Sequence, residues 1–520
     1  MKKIILSAVL FSCTLGVFAE GELDVIRYSG TDLNGTARGI AMGGAFGALG
    51  GDVTGITINP ASLGVYRSSE INASLNLSSA NTKTELNGEY ASKFNFDNVS
   101  YVGYFPTYGD NPTAFNFSVS YNRIKSFDRN YQTAAASPAS VTDYMVQQLF
   151  GHKVGNIDYQ NTPWLGTLGY EAYIINPVDP SSGQDPKDVN QYVSMFPEGE
   201  LKHRLNVSEK GDISSWDFSF GANFSDQFYL GATISLTEIT YSYLSTYDED
   251  ADGGGFTLKN SFETEGSGLQ LKIGAIYRPF DALRLGIAYH SPTWYSMTNY
   301  YSGSIDAKYS PANVDDFANT PSDGYTNYNL KTPSVWTFSA ATVLGRKAIL
   351  SLDYEIKNYQ GMRLSRDDND YSYYADVNNW VKDDFKLTST LRAGGEYRFT
   401  QQFSGRLGYA WSQNPYSTTF ASNPTAYDLQ GEYKDLIPGT VPHFTISGDT
   451  QYFTAGIGYK FTPQCYADLA FVVRSQTDDL YYFPSFEAEE NGRIEKLVKS
   501  NTIALHNITY KGLLTVGYKF

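Results

Sequence analysis

Cysteine is almost absent from this sequence, and charge and long apolar runs are scarce. Its 520 residues include 2 cysteines, which excludes a scaffold held by several disulfides. Charged residues make up 18% of the chain and leave a formal net charge of −16, so the chain lacks the basic surface that binds nucleic acids. The mean hydropathy of −0.34 argues against a bundle of membrane-spanning helices, each of which needs about 20 apolar residues.

Signatures of catalysis and of metal binding are also missing. The 5 histidines are scattered without an H-x-x-x-H pair, and no G-x-S-x-G motif occurs. Asp248, Asp250, Asp252 and Gly253 imitate the first half of a calcium-binding EF-hand, but Lys259 stands where that loop needs a bidentate Glu. We therefore expect no enzymatic activity, no metal site and no cofactor.

Aromatic residues, by contrast, are abundant: 42 Tyr, 31 Phe and 6 Trp make up 15% of the chain. The N-terminus has the pattern of a signal peptide, with Lys2 and Lys3 before the apolar stretch Ile4–Val17 and a small Ala19 at its end. We predict that residues 1–19 are removed, and a lipid anchor on Cys13 is the less favoured alternative. An exported chain that is rich in aromatics and has no apolar helices is typical of a transmembrane β-barrel.

Strand-like alternation recurs along the chain after residue 68. Ala348, Leu350 and Leu352, for example, alternate with neighbours that include Ser351 and Asp353. Strands are predicted near residues 69–80, 94–105, 113–127, 213–224, 228–244, 262–278, 283–298, 334–344, 347–358, 386–399, 402–413, 449–461, 465–475 and 506–520.

The connections between these strands alternate in length. Turns such as 345–346 and 400–401 are tight, whereas other connections are long, and the longest spans residues 128–212. A soluble β-sandwich also alternates along each strand, but short turns at one end and long loops at the other are typical of an outer-membrane barrel. The sequence therefore predicts the all-β class, with a transmembrane antiparallel barrel of about 14 strands over residues 69–520 and both termini on the periplasmic side.

The last strand has a signal of its own. Leu514, Val516, Tyr518 and Phe520 share one face, and the chain ends at Phe520. A terminal strand that ends in Phe resembles the assembly signal read by the bacterial barrel-insertion machinery. An ordinary amphipathic edge strand is the alternative. We expect Tyr518 and Phe520 to form this signal and the barrel-assembly machinery to be a partner.

Residues 20–68, before the first strand, have a different character. The stretch 39–52 is dense in Gly and Ala and includes Gly43 and Gly44, and Asn59-Pro60-Ala61 follows it. Small residues allow close packing of backbones, which suits a compact hatch, or plug, inside a narrow lumen. The glycine spacing fits neither a dinucleotide fold nor a P-loop, so nucleotide binding is rejected.

Four stretches in this order resemble the FadL family of outer-membrane transporters for long-chain fatty acids and other hydrophobic compounds. They are the Gly/Ala-rich hatch with Asp52 and Asn59-Pro60-Ala61; Gly266-Ser267-Gly268 leading to Ile276-Tyr277-Arg278-Pro279, Leu283-Arg284-Leu285-Gly286 and Tyr289-His290-Ser291-Pro292; Lys331-Thr332-Pro333; and Arg392-Ala393-Gly394-Gly395-Glu396-Tyr397 followed by Gly405-Arg406-Leu407-Gly408-Tyr409. Together they span nearly the whole mature chain.

The resemblance implies a monomeric barrel of the Gram-negative outer membrane, in contact with the lipid bilayer and with lipopolysaccharide. A hydrophobic ligand would land on apolar extracellular loops and pass into a pocket inside the barrel. Movement of the hatch would release it through a lateral opening beside a kink in an early strand. The gating residues implied are Gly43, Gly44, Asp52, Asn59, Pro60 and Ala61. Asn59 would hold the geometry of that opening, or simply form a turn, which Asn-Pro favours in any case.

The longest loop carries the predicted landing site. Ser140 followed by Asp143 forms a capping box, and Gly151 is a stop signal, so a helix is expected between them. Its apolar side chains would meet the ligand or, equally, pack over the barrel mouth; they are Val141, Tyr144, Met145, Leu149 and Phe150. Candidate partners for a ligand carboxylate are Lys153, Lys202 and Arg204.

Charged residues on the predicted strands leave two interpretations of the lumen. We favour a charge-paired wall that grips the hatch over a polar permeation path, and the residues concerned are Asp353, Glu355, Lys386, Arg392, Glu396, Arg398, Arg406, Asp468 and Arg474. The function favoured is uptake of long-chain fatty acids or other hydrophobic molecules, released laterally. An adhesin-like surface barrel is the alternative, and a polar-solute porin fits the hatch poorly.

Overall fold

The computed structural model of the protein describes residues 21–520 except 87, 108–110, 182, 197–198, 323, 346, 423, 426–438 and 491–492. Within these residues the chain forms a closed antiparallel barrel of fourteen strands, preceded by a short helical segment. The predicted signal peptide, residues 1–19, lies outside the described residues. No helix in the described part of the chain is long and apolar enough to cross a membrane.

The barrel strands follow the chain in order around the barrel. They are β1 Glu70–Lys83, β2 Gly88–Pro106, β3 Ala114–Ser126 continued by Arg129–Ser137, β4 Leu201–Phe224, β5 Phe228–Ala251, β6 Gly254–Phe280, β7 Leu283–His290 continued by Trp294–Tyr309, β8 Tyr325–Lys331 continued by Val335–Leu344, β9 Ala348–Asn358 extended by Arg363–Ser365, β10 Leu387–Arg398, β11 Phe403–Ser412, β12 Phe444–Lys460, β13 Cys465–Tyr481 and β14 Thr502–Lys519. β14 closes on β1, from Glu70 opposite Lys519 to Lys83 opposite His506. Because the first and last strands pair with each other, neither of them is left as a free edge of the sheet.

Helices lie in the N-terminal segment and in the long loops. They are α1 Glu22–Arg27, α2 Ala37–Ala41, α3 Val53–Ile58, α4 Val141–Leu149, α5 Trp164–Glu171, α6 Ala375–Asp384 and α7 Thr418–Ser422, with 3₁₀ turns at Pro60–Val65, Val154–Asn156, Pro186–Asp188, Ser310–Ala312 and Tyr359–Gly361. Short strands outside the barrel order are Ile175–Pro177, Tyr192–Ser194, Val314–Asn319, Phe486–Glu490 and Arg493–Val498.

The lower part of the wall is apolar outside and polar inside. Leu77, Phe220 and Leu407 expose 63%, 64% and 70% of their surface, although their neighbours Asn76 and Ser219 are buried in the lumen. An apolar outer belt around a polar interior is the arrangement of a bilayer-spanning barrel. The predicted fold class, strand number and strand order are confirmed.

Strands β4 to β6 are longer than predicted because the alternation inverts above this belt. Within β5, Thr233 and Ser235 face the lumen low in the wall, but Tyr243 and Tyr247 face it higher up. The outside of the same stretch turns polar, since it faces water rather than lipid. Residues 245–261, predicted as a loop, therefore form a hairpin of β5 and β6 with a tight turn. The lumen has a polar lower part and an aromatic upper part.

The N-terminal segment lies within this lumen. Ala37, Ile40 and Ala41 of α2 pack against inward-facing residues of the wall that include Ala410 and Val472. Leu63 is also completely buried, beside Val102 of β2. The helical segment therefore occupies the position of a plug.

Candidate functional site

Asn59 ties the hatch both to itself and to the barrel wall. Its Nδ2 donates to the carbonyl oxygens of Gly47, at 2.8 Å, and of Ala275 in β6, at 3.2 Å. Its Oδ1 accepts from the backbone N–H of Ala61 at 3.1 Å, which caps the 3₁₀ turn that begins at Pro60. Asn59 and Ala61 are completely buried. Asn59 therefore forms a turn and also holds the hatch against β6.

Glycines let the hatch backbone touch the wall. Gly43 has a positive φ of 66°, and a Cβ there would lie 2.8 Å from the carbonyl oxygen of Tyr409. Gly44 follows with a φ of 72°. On the wall side, a Cβ at Gly274 would collide with Oδ1 of Asn59. Hatch and wall meet here at backbone distance, which only glycine permits.

Asp52 acts within the hatch. Its Oδ1 accepts from the backbone N–H of Thr54 at 2.9 Å, so it caps α3, and from the hydroxyl of Thr36 at 2.7 Å. The side chain thereby links α3 to the start of α2. This role is structural, since Asp52 stabilises the packing of two hatch helices against each other.

Ion pairs between hatch and wall match the favoured interpretation of the lumen charges. Nε of Arg38 in α2 lies 3.0 Å from Oε2 of Glu396, which also accepts from Nε of Arg406 at 2.7 Å. Arg406 in turn pairs with Asp468 at 2.6 Å. In the next part of the wall, Oδ2 of Asp353 accepts from the backbone N–H groups of residues 46 and 47, at 3.0 and 2.9 Å. These contacts hold the hatch on the β9–β13 side.

A cavity of about 520 Å³ lies above the hatch, and strands on both sides of the lumen, including β9 to β13, contribute to its lining. Its lower lining is polar and includes Asp217 and Lys272, which pair at 3.4 Å. Its upper lining is aromatic, from Phe127, Tyr131, Tyr241, Tyr243, Tyr295, Tyr416 and Phe444. The volume is within the usual range for small-molecule pockets, and the mixed lining suits a molecule with an apolar body and a polar end.

The barrel wall is open between β2 and β3. The two strands pair from Pro106 opposite Ala114 up to Asn98 opposite Asn122, and no pair between them follows in the described part of the chain. Each strand bulges at this level, β2 at Asp97 against β1 and β3 at Ile124 against β4. A bulge bends a strand and ends its pairing, so these two bulges splay the strands apart. We call this region the lateral gap.

The cavity reaches the lateral gap, and the hatch lines it from inside. Asn95 of β2 and residues 122–128 of β3 belong to the cavity lining. The backbone N–H of Asp32 and Nδ2 of Asn34 donate to the carbonyl oxygen of Ile124, at 2.9 and 3.2 Å. Ser126 donates its N–H to Oδ2 of Asp32 at 3.1 Å. The hatch therefore satisfies the edge of β3 that β2 leaves unpaired, so the gap and the hatch are physically coupled.

Solved structures with the same fold match this protein over almost the whole chain. A crystal structure of a Pseudomonas aeruginosa FadL homologue covers 94% of this chain and 99% of its own, with 13% identity and a TM-score of 0.52. The crystal structure of the P. putida toluene transporter TodX covers 94% and 99%, with 11% identity and a TM-score of 0.50. The chain has the FadL fold. No protein-family model and no curated protein matches the sequence.

Within this FadL fold, the predicted landing helix is folded over the lumen. The capping box of Ser140 and Asp143 is present, and the helix runs from Val141 to Leu149 as expected. Of its apolar side chains, Val141, Tyr144, Met145 and Leu149 are buried in the upper aromatic core, whereas Phe150 is 48% exposed. A landing site on this helix stays a proposal: Phe150 is already accessible, whereas a ligand would reach the other four side chains only if the helix moved.

The basic residues suggested as carboxylate partners lie elsewhere. Lys153 pairs with Asp188 in the loop at 2.9 Å, and Lys202 and Arg204 point outward from β4. The basic side chains that do line the cavity of this protein are Arg27, Arg123, Lys125, Arg129, Lys272, Lys357, Arg392, Arg474 and Lys511. They come from the hatch and six different strands, so no local sequence pattern could have grouped them.

The C-terminal residues lie at the rim that carries the short turns. The backbone N–H of Phe520 donates to the carbonyl oxygen of Ser69 at 3.0 Å, and Ser69 returns the bond at 3.1 Å. The rings of Tyr518 and Phe520 stack outward, with their centroids 6.3 Å apart. Their role as an assembly signal stays a prediction.

Proposed function

We propose that this protein is an outer-membrane channel that takes up hydrophobic small molecules and releases them sideways through the lateral gap. The observation that carries the proposal is the continuity of the lumen cavity with the opening between β2 and β3. The hatch contacts of Asp32 and Asn34 with Ile124 support a gating role for the hatch in this proposal.

A lateral exit suits the energetics of an apolar ligand. Each buried CH₂ group contributes about 0.8 kcal/mol, so a long acyl chain that left through an aqueous pore would lose most of its binding energy. An exit through the wall passes the chain from an aromatic pocket directly into the bilayer. The gate in this proposal is the hatch, with Gly43, Gly44, Asp52, Asn59, Pro60 and Ala61 holding its closed position, and Phe150 at the end of α4 is where a ligand first lands.

Long-chain fatty acids are our first candidate ligand. The aromatic upper lining would take an acyl chain, and the cations below it would attract a carboxylate. Aromatic hydrocarbons are the second candidate, because TodX, which shares the fold, is a toluene transporter. The proposal further includes a cleaved signal peptide, insertion by the barrel-assembly machinery, a monomer, and contact with lipopolysaccharide at the outer leaflet.

The test is ligand extraction followed by competition. Gently purified protein is extracted and its small molecules are identified by mass spectrometry, and a fluorescent fatty acid is then displaced by fatty acids of increasing chain length. We expect an enriched fatty acid and saturable binding at micromolar concentration or tighter. Denatured protein and an unrelated barrel of similar size serve as controls for adsorption.

Absence of both enrichment and saturable binding over all chain lengths would remove the fatty-acid assignment. Toluene and related ligands would then be measured in the same assay. A protein that bound neither class would be better described as a surface-binding barrel, and a large steady ion conductance would instead favour a polar porin.

A further inference from the structure

A histidine ring in the aromatic upper part of the cavity has no hydrogen-bond partner on either nitrogen. His443, just before β12, is only 3% exposed, and neither of its ring nitrogens has a partner among the described residues. Its ring lies 5.9 Å from that of Tyr243 and 6.5 Å from that of Tyr247. The residue belongs to the cavity lining. A buried imidazole without partners is costly, so a molecule in the cavity is expected to supply them.

Two other histidines of the described lumen each use one ring nitrogen in a hydrogen bond within the protein. Nδ1 of His203 lies 2.6 Å from the hydroxyl of Tyr247, and Nε2 of His290 lies 2.9 Å from the carbonyl oxygen of Ile58 in the hatch. Those two rings therefore have structural roles. His443 differs because both of its nitrogens are left for something else.

Two charged groups in the same cavity, unlike His443, have partners within the protein. Arg129 is held by Glu209 at 2.8 Å and by Asp478 at 2.9 Å, and Lys357 lies 3.2 Å from Glu355. A ligand that enters the aromatic part therefore meets an imidazole whose two nitrogens are both unpartnered, beside the hydroxyl of Tyr243, which also has no hydrogen-bond partner among the described residues.

We propose that His443 is a specificity-determining residue that binds an uncharged hydroxyl group on an otherwise apolar ligand. This inference rests on the proposed function and names the ligand class more narrowly, as hydrophobic alcohols or phenols. A neutral imidazole offers one donor and one acceptor, and a hydroxyl can complement either. A hydrocarbon complements neither, and a carboxylate can only accept.

The protonation state of the ring agrees with this assignment. Burial lowers the pKa of the His443 imidazole to about 3, so the ring stays neutral at physiological pH. A neutral ring provides no charge to balance that of a carboxylate. The cations lower in the cavity are the groups that would serve an anionic ligand.

Three probes of nearly the same size separate these possibilities: toluene, 4-methylphenol and 4-methylbenzoate. Their affinities are measured by displacement of a fluorescent ligand from the purified full-length protein, for the wild type, His443→Phe and His443→Gln. We expect His443→Phe to weaken the binding of 4-methylphenol about tenfold, because the variant loses a hydrogen bond and leaves the buried hydroxyl of the ligand unpaired. Toluene and 4-methylbenzoate should change less than twofold, and His443→Gln, which keeps a donor and an acceptor, should retain most of the phenol affinity.

Each other outcome counts against the proposal. An unchanged phenol affinity in His443→Phe, or an equal loss for all three probes, would make His443 part of the packing only. A selective loss for 4-methylbenzoate would assign the site to carboxylates. Wild-type protein that bound fatty acids or toluene but not 4-methylphenol would overturn the hydroxyl assignment and leave the proposed function standing, whereas protein that bound neither fatty acids nor any of the three probes would overturn the proposed function.

A measurement on the wild type protects against variants that fail to fold. In protein labelled with ¹⁵N at histidine, 4-methylphenol should shift the ring nitrogen signals of His443, and toluene should leave them nearly unchanged. Identical responses to both probes would overturn the proposal without any substitution.

Discussion

At the scale of single residues, Asn59 does more than the turn that Asn-Pro favours. The cap on Ala61 is the contact that a turn needs, but the bonds from Nδ2 to Gly47 and to Ala275 join two parts of the molecule that are distant in sequence. The contacts of Asn59 include the expected turn and a link to β6, whereas a role at the lateral opening stays a prediction. Its role in gating is a prediction that substitution can test.

Because Asn59 and Gly274 are in contact, we expect substitutions at these two positions to have non-additive effects on stability. Gly274→Ala should destabilise the closed hatch by about 1–3 kcal/mol, because the added Cβ collides with Oδ1 of Asn59. Asn59→Ala should cost a similar amount through buried carbonyl and N–H groups left without partners. The double variant should cost less than the sum, since Asn59→Ala makes room for the new methyl group. Protease accessibility of the hatch and thermal unfolding measure this.

Gly395→Ala is the matched control, because a Cβ at this wall glycine meets nothing closer than 3.4 Å. It should leave both measurements unchanged. If the losses of stability in the Asn59 and Gly274 variants simply add in the double variant, the two residues are not in contact in solution.

At the scale of elements, the lateral gap depends on two bulges that face each other across one seam. Asp97 interrupts the pairing of β2 with β1, and Ile124 interrupts the pairing of β3 with β4. Above them the strands are bridged by side chains, such as the ion pair of Lys93 and Asp128 at 3.0 Å. Side-chain bridges break more readily than a strand ladder, so this seam is the expected exit.

A covalent bridge across the lateral gap should block uptake. Lys93→Cys and Asp128→Cys, in a Cys465→Ser background, can be joined by a short reducible bis-maleimide because the native side chains already meet. Uptake of a labelled fatty acid by cells should fall at least tenfold after cross-linking and recover on reduction. The expected reason is that the ligand leaves sideways through this seam.

The same cross-link at Val99→Cys and Tyr121→Cys is the control. These residues face each other where β2 and β3 are paired, so joining them should not change uptake. Full uptake with the gap cross-linked would show that the ligand leaves by another route.

The loop helix α4 is held down by a carboxylate of the barrel wall. Oε2 of Glu249 in β5 accepts from the N–H of Val141 at 3.1 Å and from the hydroxyl of Tyr247 at 2.9 Å, and Oε1 accepts from Ser140. Glu249→Gln should loosen the helix by about 1–2 kcal/mol, since the neutral amide caps a helix N-terminus less well. Hydrogen exchange of the α4 amides should then accelerate roughly tenfold.

Asp250→Asn is the neighbouring control, because Asp250 points outward from the same strand. It should leave the exchange of α4 unchanged. Equal exchange in both variants and the wild type would mean that packing of the buried apolar face alone holds the helix.

At the scale of the whole molecule, the barrel extends well above its apolar belt. The inversion of alternation within β5 marks the level at which the outside changes from lipid to water. The upper wall and the loop helices together form one aromatic core, to which α1 of the hatch also contributes Leu23 and Val25. The ligand cavity lies between this core and the hatch.

The expected assembly signal predicts that Phe520 promotes insertion of the barrel into the membrane. Phe520→Ala should lower the fraction of assembled protein several-fold, because it removes the terminal aromatic of the expected assembly signal while keeping the backbone bonds to Ser69. Heat-modifiable migration in detergent gels measures assembly. Phe461→Ala, an exposed aromatic in one of the short turns, is the control. An equal loss in both variants would indicate a general need for aromatics at this rim.

Much of the fold could be predicted because it follows from local patterns. Period-two alternation and short turns identified every strand of the described barrel, and the capping box of Ser140 and Asp143 located α4. The predicted upper ends of β4 to β6 were wrong, because the prediction looked for apolar residues on the outer face and polar residues on the inner face. Above the membrane the period of two continues, but the inner face is apolar and the outer face is polar. This inversion depends on whether lipid or water surrounds the wall.

The sequence alone determined that this protein is a closed barrel with a small-residue plug, because alternation, turns and glycine content are local properties that a strand or a tight packing imposes directly. Only the tertiary structure decided where the wall opens, which cations meet in the cavity and that His443 is left without a partner. These features depend on strand register and on contacts between residues hundreds of positions apart, and no short stretch of sequence contains them.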